Sequence, residues 1–191
     1  MRVVIGSLLI GLVFSAPSLQ GSSRGEPVML TNGCINCHGF EGLRTPGAIP
    51  SLAGQSEAYL YKTLVAYRDG TLKGTIMNRA MEGYDDQTLR QFAEYYSRLP
   101  KGSLGEVVPQ EHEQGERLYA QHCSSCHEKQ SDTPYLKGQN ALYMQGVLKD
   151  MATGQRTMPE EMASAMSVLN DEELQQLLGY LQGCIQEVLC R

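Results

Sequence analysis

The chain has 191 residues, enough for one medium domain or two small ones. Hydrophobic residues make up 41% and charged residues 19%, a globular rather than a disordered composition. Sixteen Lys and Arg against 21 Asp and Glu leave a net charge of −5; with no basic block and no aromatic-basic interleaving, nucleic acid is not an expected partner.

In chain order, residues 1–23 read as an export leader. Arg2 precedes an apolar run, Val3–Phe14, followed by small residues at Ser15 and Ala16 and a Gly/Ser-rich stretch to Gly25. The run falls short of the roughly 20 residues that span a membrane; the competing reading is an uncleaved anchor. Cleavage after Ala16 or among Gly21–Ser23 fits equally. No later run approaches spanning length, so the mature chain is expected to be soluble, without a membrane span, and periplasmic.

The first domain is expected over 24–104. It opens with "CINCHGFEG" (Cys34–Gly42), continues through "PSLAGQ" (Pro50–Gln55), and reaches Met77. Its last helix places Leu89, Phe92, Ala93 and Tyr96 at i, i+3, i+4 and i+7, with Asp85 as N-cap. "LPKGSLGEVVPQ" (Leu99–Gln110) has two prolines, two glycines and no helical period, as a linker does.

The second domain, 105–191, opens on "EQGERLYAQHC", with Leu118 and Tyr119 three and four residues beyond Gly115. "CSSCHEKQS" (Cys123–Ser131) and "PYLKGQ" (Pro134–Gln139) follow, and then Met162. Leu174, Leu177, Leu178 and Leu181 stripe the last helix behind an Asn170/Glu173 capping box. No alternating run argues for a strand, so the fold is all-α.

The halves repeat each other. Pro50/Pro134, Leu52/Leu136, Gly54/Gly138, Gln55/Gln139, Tyr59/Tyr143, Leu64/Leu148 and Gly70/Gly154 match at a constant offset of 84. Met77/Met162, Met81/Met166 and Leu89/Leu174 match at 85. A module of about 80 residues, duplicated, is too core-poor to stand well unless something large and apolar fills each centre.

Cys-x-x-Cys alone fits a redox dithiol or half a zinc site. A zinc site needs a second ligand pair, and the first half has no other Cys or His; a thioredoxin-like dithiol needs a strand–helix context that is missing. Cys-x-x-Cys-His is the attachment signature of haem c. Two haem c groups are therefore expected: Cys34 and Cys37 hold one, Cys123 and Cys126 the other, with His38 and His127 as axial ligands.

Histidines outside the motifs, His112 and His122, leave the first haem no second imidazole in its own half. Met is plentiful, and Met ligation raises the potential of a low-spin haem. Met77 and Met162, 39 and 35 residues after their histidines, are the expected sixth ligands. Met81 and Met166 are rivals that also read as core packing, and Met158 is the second half's runner-up. His122 is expected to be an exposed neighbour of its motif. Pro50 and Pro134 can supply the carbonyls that orient the histidines, or can simply end loops.

Two such motifs, each followed by Pro-x-Leu-x-Gly-Gln and then a Met before a helix, resemble the bacterial dihaem class I cytochromes c over nearly the whole mature chain. The resemblance implies two tandem class I cytochrome c domains about a pseudo-twofold axis. Within that group, Ile76, Met77, Arg79, Gly83 and Tyr84, with "QRTMPEEMASAM" (Gln155–Met166), look most like the cytochrome subunit of flavocytochrome c sulfide dehydrogenase. That branch implies an FAD-bearing flavoprotein partner that oxidises sulfide, with the cytochrome passing electrons to a soluble acceptor such as a small cytochrome c. The Pro-x-Leu-x-Gly-Gln element is closer to free carriers, so a free dihaem shuttle to a terminal oxidase is the alternative. Cys184 and Cys190 depart from the pattern; a disulfide, free thiols or pairing to a partner are open. A dihaem peroxidase would need one half without a placed Met, which this chain does not offer.

Overall fold

The computed structural model describes residues 32–43, 47–74, 76–101, 113–130 and 132–183. The leader, the linker from 102 to 112 (His112 included), Cys184 and Cys190 lie outside the described residues. Among those described there are helices and no strands. The first half contains α1 (Ile35–His38), α2 (Glu57–Arg68), α3 (Met77–Met81) and α4 (Asp86–Arg98). The second contains α5 (Glu113–His122), α6 (Ser124–His127), α7 (Ala141–Ala152), α8 (Glu160–Met166) and α9 (Asp171–Gly183).

Local chemistry sets the helix starts identically in the two halves. The Ser56 hydroxyl accepts the Tyr59 N–H at 3.1 Å to open α2, and the Asn140 Oδ1 accepts the Tyr143 N–H at 3.0 Å to open α7. The Asp85 carboxylate accepts the Thr88 N–H at 2.8 Å at the head of α4. At α9 the capping box closes in both directions: Asn170 accepts the Glu173 N–H and Glu173 accepts the Asn170 N–H, each at 3.0 Å.

The α4 stripe buries in full, and the α9 stripe buries except at Leu174, which is half-buried against the core. Leu89, Phe92, Ala93 and Tyr96 of α4 join Leu60 and Met81 in the first core, where α2 packs on α3 and α4. Leu177, Leu178, Tyr180 and Leu181 of α9 join Leu118, Tyr119 and Met144 in the second, where α9 packs on α5 and α7. The α5–α9 crossing depends on Gly115: a Cβ there would meet the Gln176 carbonyl oxygen at 2.3 Å and the Tyr180 Cβ at 2.6 Å.

Each half thus has its own core, and the two touch through the Pro-x-Leu-x-Gly-Gln elements. Leu52 and Leu136 enter their respective cores. Gly54, at φ +68°, gives its N–H to the Tyr96 carbonyl at the end of α4 (2.9 Å); Gly138, at φ +77°, does the same to Leu181 in α9 (2.7 Å). Only glycine adopts that backbone freely. The following glutamine then faces the other half. Gln55 donates to the Tyr135 carbonyl and accepts its N–H, both at 2.8 Å. Gln139 donates to the Ser51 carbonyl at 2.9 Å and accepts the Ser51 N–H at 2.8 Å. Ser51 and Tyr135 stand 84 residues apart, as do Gln55 and Gln139, so the pairing is self-complementary, the contact a twofold axis generates.

Candidate functional site: two Cys-x-x-Cys-His turns

Each motif folds as one helical turn. The His38 N–H bonds to the Cys34 carbonyl at 3.0 Å, and the His127 N–H to the Cys123 carbonyl at 3.0 Å. Residues i, i+3 and i+4 share a helix face, so one turn presents both sulfurs and the imidazole on a single side. Gly39, at φ +79°, ends α1 immediately after its histidine. No disulfide joins Cys34, Cys37, Cys123 or Cys126. Burial pushes the Cys34 thiol up, and the Cys123 thiol up to about 11, before any thioether forms.

Both histidines are oriented through Nδ1. It lies 2.9 Å from the Pro50 carbonyl in His38 and 2.8 Å from the Pro134 carbonyl in His127. A carbonyl only accepts, so Nδ1 carries the proton and Nε2 keeps its lone pair. Burial lowers both imidazole pKa values, more than the carbonyl bonds raise them, which favours the neutral form that ligates a metal. The loop bearing Pro50 is fixed by the Gly42 carbonyl, which accepts the Leu52 and Ala53 N–H groups at 2.7 and 3.0 Å.

This donor set fits haem c: thiols a helical turn apart for the porphyrin edge and an imidazole with Nε2 free for iron. The Tyr96 hydroxyl, buried without a hydrogen-bond partner and close to Cys34, marks polar surface that the protein alone leaves unsatisfied. In the second half an apolar cleft of about 360 Å³ opens between Leu148, Met158, Met166, Leu174 and Leu178. Among the described residues no three His, Cys, Asp or Glu side chains group as a metal-ion site.

The methionines separate by environment. Met81 is buried in the first core, whereas Met77, at the start of α3, is half-buried against its edge. In the second half Met158 and Met166 line the cleft, while Met162 is half-buried on α8 between them in sequence. His122 differs from expectation. It is half-buried as the last residue of α5, because that helix runs directly into Cys123.

One residue at the site carries no signal in the sequence. Asn78, next to Met77, donates to the Tyr67 and Leu72 carbonyls at 2.6 and 2.8 Å and accepts the Gly74 N–H at 2.8 Å, so it ties the methionine segment to the end of α2. Its second-half counterpart is Ala163, so the repeat gives no signal for it. The glutamines did carry a signal: they recur with the prolines, yet only the assembled halves reveal what they bond.

Two tandem class I c-type cytochrome domains, each covalently binding one haem c, are the class that this fold and these turns define. Residues 22–99 match the family described as cytochrome c, and residues 110–181 match cytochrome C oxidase, cbb3-type, subunit III. Cytochrome c4 of Azotobacter vinelandii is 30% identical over 176 residues, covering 78% of this chain and 83% of that protein. The crystal structure of reduced recombinant cytochrome c4 from Pseudomonas stutzeri superposes with TM-score 0.69 at 29% identity, over 84% of this chain and 96% of that one. The chain belongs to the cytochrome c4 family. The cytochrome subunit of sulfide dehydrogenase from Chlorobaculum tepidum is 35% identical, but over 79 residues: 41% of this chain and 69% of that protein.

The likeness to a sulfide dehydrogenase subunit is confined to part of the chain, while the likeness to cytochrome c4 runs through both halves. Tyr84, one of the residues that suggested the former, packs its ring edge-on against Phe92 at 5.1 Å, a core contact that does not require a flavoprotein. The protein is a dihaem electron-transfer cytochrome.

Proposed function

We propose that this protein is a free, exported dihaem shuttle that carries electrons in the periplasm to a terminal oxidase or a similar acceptor. The observation that carries the reading is the likeness to cytochrome c4 across both halves. A leader over residues 1–23 is followed by haem domains over 24–104 and 105–191. Cys34 and Cys37 bind the first haem and Cys123 and Cys126 the second. His38 and Met77 ligate the first iron, His127 and Met162 the second, with Met158 the residue that competes with Met162. Pro50 and Pro134 hold the two imidazoles.

The haem supplies the one-electron chemistry; the protein supplies the rest. Thioether anchoring fixes each ring's place, the proline carbonyls fix imidazole orientation, and burial excludes water. The chain's −5 charge favours a basic partner patch, and that association weakens as salt rises.

A second reading keeps the protein as the haem subunit of a flavoprotein sulfide dehydrogenase, supported by the partial likeness to such a subunit. Purification of the holoprotein from its host separates the two. A monomer with two haems and no flavin, reducing an acceptor faster at low salt, is expected. A stable complex with a flavin-bearing chain overturns the shuttle reading.

A further inference from the structure

The peptide group that orients each histidine is the same one that the opposite half's glutamine grips. In the Pro50–Ser51 peptide, the carbonyl accepts from His38 Nδ1 at 2.9 Å, while the N–H donates to Gln139 Oε1 at 2.8 Å. In the Pro134–Tyr135 peptide, the carbonyl accepts from His127 Nδ1 at 2.8 Å, while the N–H donates to Gln55 Oε1 at 2.8 Å. We propose that Gln139 and Gln55 are positioning residues that set, each from the opposite half, the strength of the histidine–carbonyl bond and thereby the potential of the other half's haem.

The physical basis is polarisation along a hydrogen-bond chain. An acceptor on a peptide N–H makes that peptide's carbonyl a better acceptor in turn. A stronger carbonyl draws the Nδ1 proton, gives the imidazole more anionic character, and stabilises Fe(III) over Fe(II). Burial sharpens the effect: Ser51, Gln139 and Gln55 are only 4, 6 and 5% exposed, so little bulk water competes for these bonds. The Gln139 amide is itself held, because its Oε1 also accepts the Asn140 N–H at 2.8 Å. Asn140 in turn donates to the Gly47 carbonyl of the first half at 2.5 Å. Separating the halves, or rotating one against the other, would break both chains together, so docking and potential are coupled.

The inference rests on His38 and His127 being the iron ligands, which hyperfine-shifted ring protons of those residues in the oxidised wild-type protein test independently. The experiment is a redox titration of the two-haem protein followed by NMR, with haem methyl resonances assigned to each half. Gln139→Leu is expected to raise the potential of the first-half haem, shifting its Fe(III)/Fe(II) ratio at fixed poise about threefold, about 28 mV at 59 mV per tenfold. The second-half haem moves much less. Gln55→Leu is expected to give the mirror image. Equal shifts in both haems, a shift confined to the mutated half, or no shift overturns the proposal. Should the variants not assemble, the reduced wild-type protein is tested for scalar coupling across the bonds from Ser51 N to Gln139 Cδ and from Tyr135 N to Gln55 Cδ. Coupling in both supports the chain, and its absence overturns it. Loss of the crossed pattern with the histidine ring shifts intact refutes the clasp alone; loss of the ring shifts in wild type refutes the ligand assignment.

Discussion

Gly115→Ala tests how the second half is held together. The added methyl would lie 2.3 Å from the Gln176 carbonyl oxygen and 2.6 Å from the Tyr180 Cβ. Carbon–oxygen contacts of this kind settle at roughly 3.3 Å, so α5 and α9 must part by about an ångström. A gap of that size forfeits a sizeable share of the dispersion energy between the helices. Because the obstacle is backbone rather than a flexible side chain, the cost sits near the upper end of overpacking, about 3 kcal/mol. Alanine returns about 1 kcal/mol through helix propensity. The net is a loss of about 2 kcal/mol, or roughly 10 °C in the melting temperature of a domain this size. Gly146, exposed on α7 with nothing within 4 Å of its Cβ direction, is the control, and Gly146→Ala should gain up to about 1 kcal/mol. Thermal unfolding of the two holoproteins by circular dichroism reads both. If Gly115→Ala matches or exceeds Gly146→Ala in stability, the close crossing is not what holds α5 against α9.

Met77→Ala and Met162→Ala should each remove about half of the long-wavelength absorbance that marks Met–Fe(III) ligation; retention of the full band in Met162→Ala with its loss in Met158→Ala would reassign the second ligand. Asn78→Leu removes three hydrogen bonds from the methionine segment, worth roughly 2 kcal/mol together after partial solvent exposure. Imidazole titration should then displace the first haem's methionine at a concentration roughly tenfold or more below wild type, with the second haem unchanged. The Asp85 carboxyl is held below its usual range, chiefly by the Thr88 backbone N–H. Its contribution is therefore present above the unfolded-state value and lost as pH falls through the lower folded-state value. Between roughly pH 6 and pH 2, Asp85→Asn should lose less stability than wild type, measured as the shift in denaturation midpoint of the first half.

Much of this architecture is legible in the residues because helices and caps are local. The α4 and α9 stripes, the Asp85 cap and the Asn170/Glu173 box all follow from spacing, and the structure forms each of them. The motif turn is local as well: a five-residue sequence determines which atoms share its face. What the sequence hides is long-range. Gly115 reads as one more weak helix residue until α9 is laid across it. Gln55 and Gln139 look like punctuation after a glycine, because their partners are 80 and 88 residues away in the chain. Asn78 was invisible for a different reason: it has no duplicate, and a repeat only draws attention to what both copies keep. The resemblance to a sulfide dehydrogenase subunit lies in two short stretches, Ile76–Tyr84 and Gln155–Met166, and in the first of them packing on Phe92 constrains Tyr84 whatever the partner.

The two halves reach their histidine carbonyls by unequal routes. Twelve residues separate His38 from Pro50, whereas seven separate His127 from Pro134. The first half thus takes five more residues over this excursion, and the carbonyl of one of them, Gly47, takes the Asn140 amide. The two modules are therefore unequal in length at this point, which gives the tandem a head and a tail. A hybrid assembled from two leading modules would carry the excursion twice, and one built from two trailing modules would lack it altogether. Neither would bring a Gly47 to an Asn140, so this contact requires one module of each kind.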